Sequence, residues 1–277
     1  MNLRFYNTST LKLSFFCLLF AAHFSSFAQK SEDVQDGSLW VSAIKVDGKI
    51  ADWPAPLKAS NRSTNLSYTL ANDSKFLYLA IQSKDLINNN KIILGGITVT
   101  IKTDGKKKEK DGYTFTYPVI NRARNQNGQR GGGQVGQRTP GQGGGGAGFN
   151  QFQQRTQAQR DSIQIARSKM QLAAAKEIKI FGIKSISDSL ISIYNEYGIK
   201  ASTNLNDAGI FTYELAIPLD LLQLSIDKPK EFAYNIKLNG LQMNGFGGGG
   251  FSGGGNMDFQ ALISPTDLWG KYTLVSK

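Results

Sequence analysis

The chain has 277 residues, a formal net charge of +11, one cysteine and one histidine. That length holds one large or two small domains. The charge points to an acidic partner such as nucleic acid, an anionic glycan or a membrane surface, yet most of the excess lies in Lys106, Lys107, Lys108 and Lys110 and in Arg122, Arg124, Arg130, Arg138, Arg155 and Arg160, with no Asp or Glu from Gly112 to Arg160.

The N-terminus has the order of a secretory signal: Arg4 and Lys12, the apolar run from Leu13 to Phe24, then Ser25, Ser26, Phe27 and Ala28 before Gln29. The run is about a dozen residues, short of the ~20 that span a bilayer. Residues 1–28 are therefore expected to be a cleaved signal peptide, and the mature chain to be exported to the periplasm, the cell surface or the medium. Cys17 follows Phe16 in mid-run, which argues against lipid attachment. Cleavage would remove both Cys17 and His23, the chain's only thiol and imidazole. Serine-histidine hydrolases, thiol enzymes, zinc hydrolases and histidine-ligated haem are excluded for such a chain, as are disulfides. The expectation is a protein without a cofactor, a metal site or catalytic residues.

Ser42 to Val46 alternates and runs into the turn signal Asp47-Gly48, followed by Asp52-Trp53-Pro54; this reads as strand, turn and loop. Asn65 to Ala71 and Phe76 to Gln82 alternate on either side of four polar residues, which is hairpin spacing. Phe76, Tyr78 and Ala80 share one face of the second run, and Leu77, Leu79 and Ile81 the other. The β-branched run Ile92 to Thr103 reads as a strand ending at Asp104-Gly105, with Tyr113 to Val119 as its return, so the lysine cluster falls on a hairpin tip.

From Asn121 to about Gln159, Gly, Gln, Asn and Arg dominate, with too little apolar surface to offset the entropy of ordering. A low-complexity insertion at about 121–159 is expected there. Gln157 to about Lys176 then carries Ile163, Ala166, Met170 and Ala173 at helical spacing and predicts one amphipathic helix. Leu190 to Tyr194, Gly198 to Asn204, Gly209 to Ile217, Phe232 to Leu241 and Trp269 to Val275 return to strand pattern, interrupted by a glycine-rich loop at 245–255. Many short strands with short turns predict an all-β fold, an antiparallel β-sandwich with one inserted amphipathic helix and two glycine-rich loops, making residues 29–277 a single domain.

Three pieces in order, Val46-Asp47-Gly48-Lys49-Ile50-Ala51-Asp52-Trp53, then Phe76-Leu77-Tyr78-Leu79-Ala80-Ile81-Gln82-Ser83-Lys84-Asp85, then Tyr213-Glu214-Leu215-Ala216-Ile217-Pro218, resemble family-nine carbohydrate-binding modules and their DOMON-like relatives. The resemblance covers about Ala43 to Lys277 apart from the glycine blocks, and it implies a sandwich that binds without catalysis. Sugar-binding members hold their ligand between two tryptophans. The matching stretches here read Asn88-Asn89-Asn90-Lys91 and Phe259-Gln260-Ala261-Leu262-Ile263, without tryptophan.

Trp40 and Trp53 are candidate sugar platforms, because an aromatic ring offers apolar area to the C–H face of a pyranose. The alternative is that Trp53 plugs one end of the sandwich and Trp269 belongs to a core strand. Arg122 and Arg124 are the remaining candidate ligand-binding residues. Asp47, Asp52, Asp85 and Glu214 are the acids from which a glycosidase pair, ~5–9.5 Å apart, would be drawn, and nothing in the sequence brings two of them together. No loop has the alternating oxygen ligands of a calcium site. The Arg-Gly mixture near Gln129 resembles an RNA-binding segment, but export argues against nucleic acid. The reading is an exported binding module for a polysaccharide or other envelope component. The alternatives are a surface assembly protein acting through its glycine-rich insertions and, third, a carboxylate glycosidase.

Overall fold

The computed structural model describes residues 32–108, 110–120, 156–241 and 259–277. Two antiparallel sheets pack face to face. The first holds β1 (Ala59–Asn61), β2 (Leu66–Asn72), β3 (Phe76–Ser83), β8 (Lys200–Leu205) and β9 (Phe211–Pro218) in the order β1-β2-β3-β9-β8. The second holds β4 (Ile97–Lys102), β5 (Tyr113–Tyr117), β6 (Glu177–Phe181), β7 (Leu190–Ser192), β10 (Phe232–Leu238) and β11 (Thr266–Tyr272) in the order β11-β10-β4-β5-β6-β7. The expected antiparallel β-sandwich is what the chain forms. Helices α1 (Leu86–Gly95), α2 (Gln157–Ala174) and α3 (Phe259–Ile263) accompany the sheets. Among the described residues no helix is long and apolar enough to cross a membrane. The expected signal peptide, residues 121–155 of the insertion and the 245–255 loop lie outside the described residues.

Alternation places the core. Leu66, Tyr68 and Leu70 of β2, Leu77, Leu79 and Ile81 of β3, and Phe211, Tyr213, Leu215 and Ile217 of β9 point between the sheets, where they meet Ile97, Val99 and Ile101 of β4, Phe115 and Tyr117 of β5, and Tyr234 and Ile236 of β10. Tyr68 and Tyr234 join the sheets directly, ring edge to ring face at 6.2 Å between centroids, with their hydroxyls 3.0 Å apart. The Tyr234 ring lies over Gly270, its partner on β11, where no Cβ fits.

The outward face of the first sheet is not left to solvent. Tyr78 and Ala80, with Phe76, form a second apolar cluster together with Ala71, Ala216, Val41, Trp53 and Leu57. The segment from residue 39 to residue 58 lies across that face. Ser42 to Val46 is therefore not the strand its alternation predicts. Ile44 and Val46 pack onto the cluster while Lys45 stays exposed, so the period of two arises from contact with a sheet face rather than from strand pairing. The run Ile92 to Thr103 also divides. Ile92 to Gly95 ends helix α1, whose N-cap is Asp85 accepting from the Asn88 amide, and Gly96, at φ +77°, turns the chain into β4. The single expected helix is thus joined by α1 and α3, and β1 and β6 are additions to the expected strands.

The covering segment is held by one buried acid. Glu214, in the middle of β9, is fully buried on the outward face. Its Oε2 accepts the Asp47 and Gly48 backbone N–H groups at 2.9 and 2.6 Å, and its Oε1 accepts the Trp53 indole N–H at 2.8 Å. Gly48 is at φ +85°, with the Thr203 backbone 3.0 Å from where a Cβ would sit, so the Asp47-Gly48 turn delivers two adjacent N–H groups in a shape only glycine adopts freely. Further along, the Lys58 N–H donates to Thr69 Oγ1 at 2.8 Å. Burial pushes the Glu214 carboxyl above its ordinary value against the opposing pull of Trp53, Gly48 and Asp47, and the Asp47 charge adds to the rise.

Two outcomes are expected in equilibrium unfolding. Gly270→Ala drives a methyl group into the Tyr234 ring and should lower stability by about 1–3 kcal/mol. Glu214→Gln sets an amide NH2 against N–H donors and should cost about 2–4 kcal/mol. Because the folded-state value of Glu214 is raised from 4.5, its proton favours folding fully below that pH and the contribution fades as pH rises through the folded value. The gap between wild type and Glu214→Gln should therefore narrow as pH rises above 4.5; a gap that widens with rising pH contradicts the assignment.

Candidate functional site

A depression of about 360 Å³ opens on the outward face of the first sheet, just past the edge of the covering segment. Ser60, Ser67 and Gln82 form its floor. They are opposite one another on β1, β2 and β3, and the next residue in the row, Thr212 of β9, is already buried under the cover, its hydroxyl donating to the Gly48 carbonyl. Period-two alternation makes this row continuous, because each of these residues is one step out of phase with the core residues beside it. Asn65 from the β1–β2 turn and Lys84 and Asp85 from the approach to α1 complete the rim.

The chemistry of the depression is that of exposed hydrogen-bonding groups. The side chains of Ser60, Asn65, Ser67, Gln82 and Lys84 are exposed or half-buried, and none has a hydrogen bond within the described residues. They offer two hydroxyls, two carboxamides and an ammonium, which together donate and accept. Asp85 is different: its Oδ1 accepts the Asn88 N–H at 2.7 Å and is engaged in capping α1. Among the described residues no aromatic ring lines the depression.

The residues singled out by sequence are dispersed. Trp53 is 5% exposed and its indole N–H is bound to Glu214, so neither ring face is available to a sugar; it also covers a sheet face rather than plugging an end. Trp40 is half-buried where residues 39–41 pair in parallel with Asn72. Trp269 is half-buried on the outward side of the edge strand β11, out of phase with the core residues Leu268 and Tyr272. Trp40 and Trp53 are not brought together at the depression. Arg122 and Arg124 lie outside the described residues.

The four acids are not brought together as a facing pair. The Asp47 carboxylate is held below its ordinary value by Lys45, 3.1 Å away, with the Lys49 N–H also donating to it. Its backbone, not its carboxylate, meets Glu214. Asp52 is exposed in the 3-10 turn Ile50–Asp52. Among the described residues no three His, Cys, Asp or Glu side chains cluster as a metal site requires.

The stretches Asn88–Lys91 and Phe259–Ile263 do meet, as α1 and α3. Their polar groups serve the fold: Asn88 Nδ2 donates to Thr64 O and Asn89 Nδ2 to Gly209 O, both at 2.7 Å, and the buried Lys91 donates to Thr266 Oγ1 at 3.1 Å. Desolvation lowers the Lys91 pKa, with the Asp85 charge opposing. The depression itself has no strong sequence signal, since its floor is assembled from single polar residues on three strands; the one legible hint is that Ser67 and Gln82 interrupt otherwise apolar runs.

No family model and no curated protein matches the chain. Among solved structures it is similar to a family-nine carbohydrate-binding module from Caldicellulosiruptor kristjanssonii in complex with glucose, at 9% identity and a TM-score of 0.39, with 88% of this chain and 96% of that chain covered.

Proposed function

We propose that the chain is an exported, non-catalytic binding module of one domain, residues 29–277, which takes a saccharide or another polyhydroxylated component of the cell envelope in the depression beside α1. The observation that carries this reading is the set of uncommitted groups there: Ser60, Ser67 and Gln82 in one row, with Asn65 and Lys84 at the rim. Hydroxyls and carboxamides that both donate and accept complement sugar hydroxyls, and the volume, about 360 Å³, falls at the lower end of small-ligand sites. Without an aromatic floor little apolar area is removed from water, so binding is polar, wet and weak, with a dissociation constant of roughly 0.1–1 mM.

The acids support binding rather than bond cleavage. Glycoside hydrolysis uses two carboxyl groups facing one another across the bond. Among the described residues the depression has one, Asp85, and that one caps a helix.

The experiment is an array of neutral oligosaccharides and envelope polysaccharide fractions probed with the mature chain, followed by calorimetric titration of any ligand retained. Gln82→Ala and Ser67→Ala should each weaken binding roughly three- to tenfold, the worth of one or two hydrogen bonds, with the unfolding midpoint unchanged. Retention of no saccharide at all, or retention indifferent to both substitutions, overturns the reading. Turnover of a saccharide that is abolished by replacing a single acid overturns the non-catalytic part of it.

A further inference from the structure

We propose that the end of the sandwich remote from α1 is an attachment site for a polyanionic polysaccharide. The proposal relies on the export reading for the kind of anion encountered, but not on the depression. Strand β4 runs away from α1, so the 103–112 loop that follows it stands at the opposite end from Ser60, Ser67 and Gln82. Lys106, Lys107, Lys108 and Lys110 are exposed along this loop.

Sheet register adds a second strip of lysine. Lys102 at the end of β4 pairs with Ala233 near the start of β10, so the segment entering β10, with exposed Lys228 and Lys230, runs beside the lysine loop. The two are in close approach: a Cβ on Gly105 would stand 3.6 Å from the Glu231 carbonyl. Strand β11 ends here too, and a groove of about 370 Å³ lies between it, the 34–38 segment and the loop, with Lys107, Lys271, Glu231, Gln35 and Ser38 on its walls.

Charge at this end is unbalanced. Within residues 102–111 and 227–231 together with Lys271, lysines outnumber acids eight to five. Lys271 is paired with Glu231 at 2.5 Å and Lys102 lies 3.7 Å from Asp104. Lys106, Lys107, Lys108, Lys110, Lys228 and Lys230 have no ion pair among the described residues. The Asp104 carboxyl is held below its ordinary value first by the Lys106 backbone N–H and, less, by the charges of Lys102 and Lys106. Lysine is a flexible point charge rather than a planar fork, so this surface reads charge density along a polymer and not the geometry of one group. Outside the cell the polymer of that description is a uronate- or phosphate-bearing polysaccharide.

The test is retention of the mature chain on immobilised alginate, a polyuronate, over a range of NaCl, with neutral dextran as the control matrix. Binding should fall linearly on a log–log scale with salt, as counterion release requires. The triple variant K106Q/K107Q/K108Q should bind about tenfold more weakly at low salt and with a shallower salt slope, by the same principle. A second variant, R122Q/R124Q/R130Q/R138Q, should bind alginate like wild type, and so should Gln82→Ala, which separates this site from the depression. Wild-type binding by the lysine variant, loss confined to the arginine variant, equal retention on dextran, or a DNA duplex bound more tightly than alginate at the same salt would each overturn the proposal.

Discussion

A carboxylate buried without partners is among the costliest groups a protein can hold, and Glu214 is buried in the middle of a sheet face. The structure satisfies it from a single source, the segment laid across that face, through two backbone N–H groups and one indole N–H. The dependence is mutual. Without the segment Glu214 would face solvent beside exposed Tyr78 and Ala80; without Glu214 the segment, which has little strand pairing of its own, would keep its apolar contact, the Lys58–Thr69 and Thr212–Gly48 hydrogen bonds and the bonds of residues 39 and 41 to Asn72.

That latch also decides where a ligand can sit. The first sheet is covered from its middle outward to Thr212, and the cover ends one strand short of Gln82. The wall of the depression is thus the edge of the structural cover, while its floor is the part of the same register row left bare. Three polar residues under the cover are matched: Glu214 by three donors, Thr69 by Lys58, Thr212 by Gly48. Each polar residue beyond it, Ser60, Ser67 and Gln82, is unmatched. The contrast along one row separates groups that serve the fold from groups left for something else.

The parts of this arrangement legible in the sequence are those governed by local rules. The β2–β3 hairpin shows as two alternating runs around a polar turn, and the faces assigned to Leu77, Leu79 and Ile81 and to Tyr78 and Ala80 are the faces they occupy. Asp47-Gly48 reads as a turn and is one. The turn's task is not legible, because its partner is 166 residues away in the chain and a carboxylate in a strand reads as a solvent-facing residue. The same limit applied to Trp53, whose two readings both assumed the ring was the point; the N–H matters equally. Alternation misled at Ser42 to Val46 because any extended segment on a flat apolar face shows the period of a strand. The apolar run from Ile92 misled because the helix–strand boundary within it is set by Asp85 behind it and Gly96 inside it rather than by the apolar residues themselves. The depression was least legible of all, being three residues from three strands whose only shared property is their register.

The two ends of the sandwich carry different chemistry for a topological reason. At the α1 end the described connections place carboxamides and hydroxyls, several of them tied into the fold through Asn88, Asn89 and Thr64. At the other end the chain turns through the open 103–112 loop and through the segment before β10, neither of which needs apolar residues to anchor it, and lysine accumulates in both. Lysine there also keeps the exposed tips from pairing with other chains. What general solubility does not require is the approach of two such strips to one another beside a groove that Lys107 and Lys271 line, with Asp104 and Glu231 paired to Lys102 and Lys271. A polar recess at one end and a lysine-rich tip at the other are held a fixed distance apart by the rigid sheets between them.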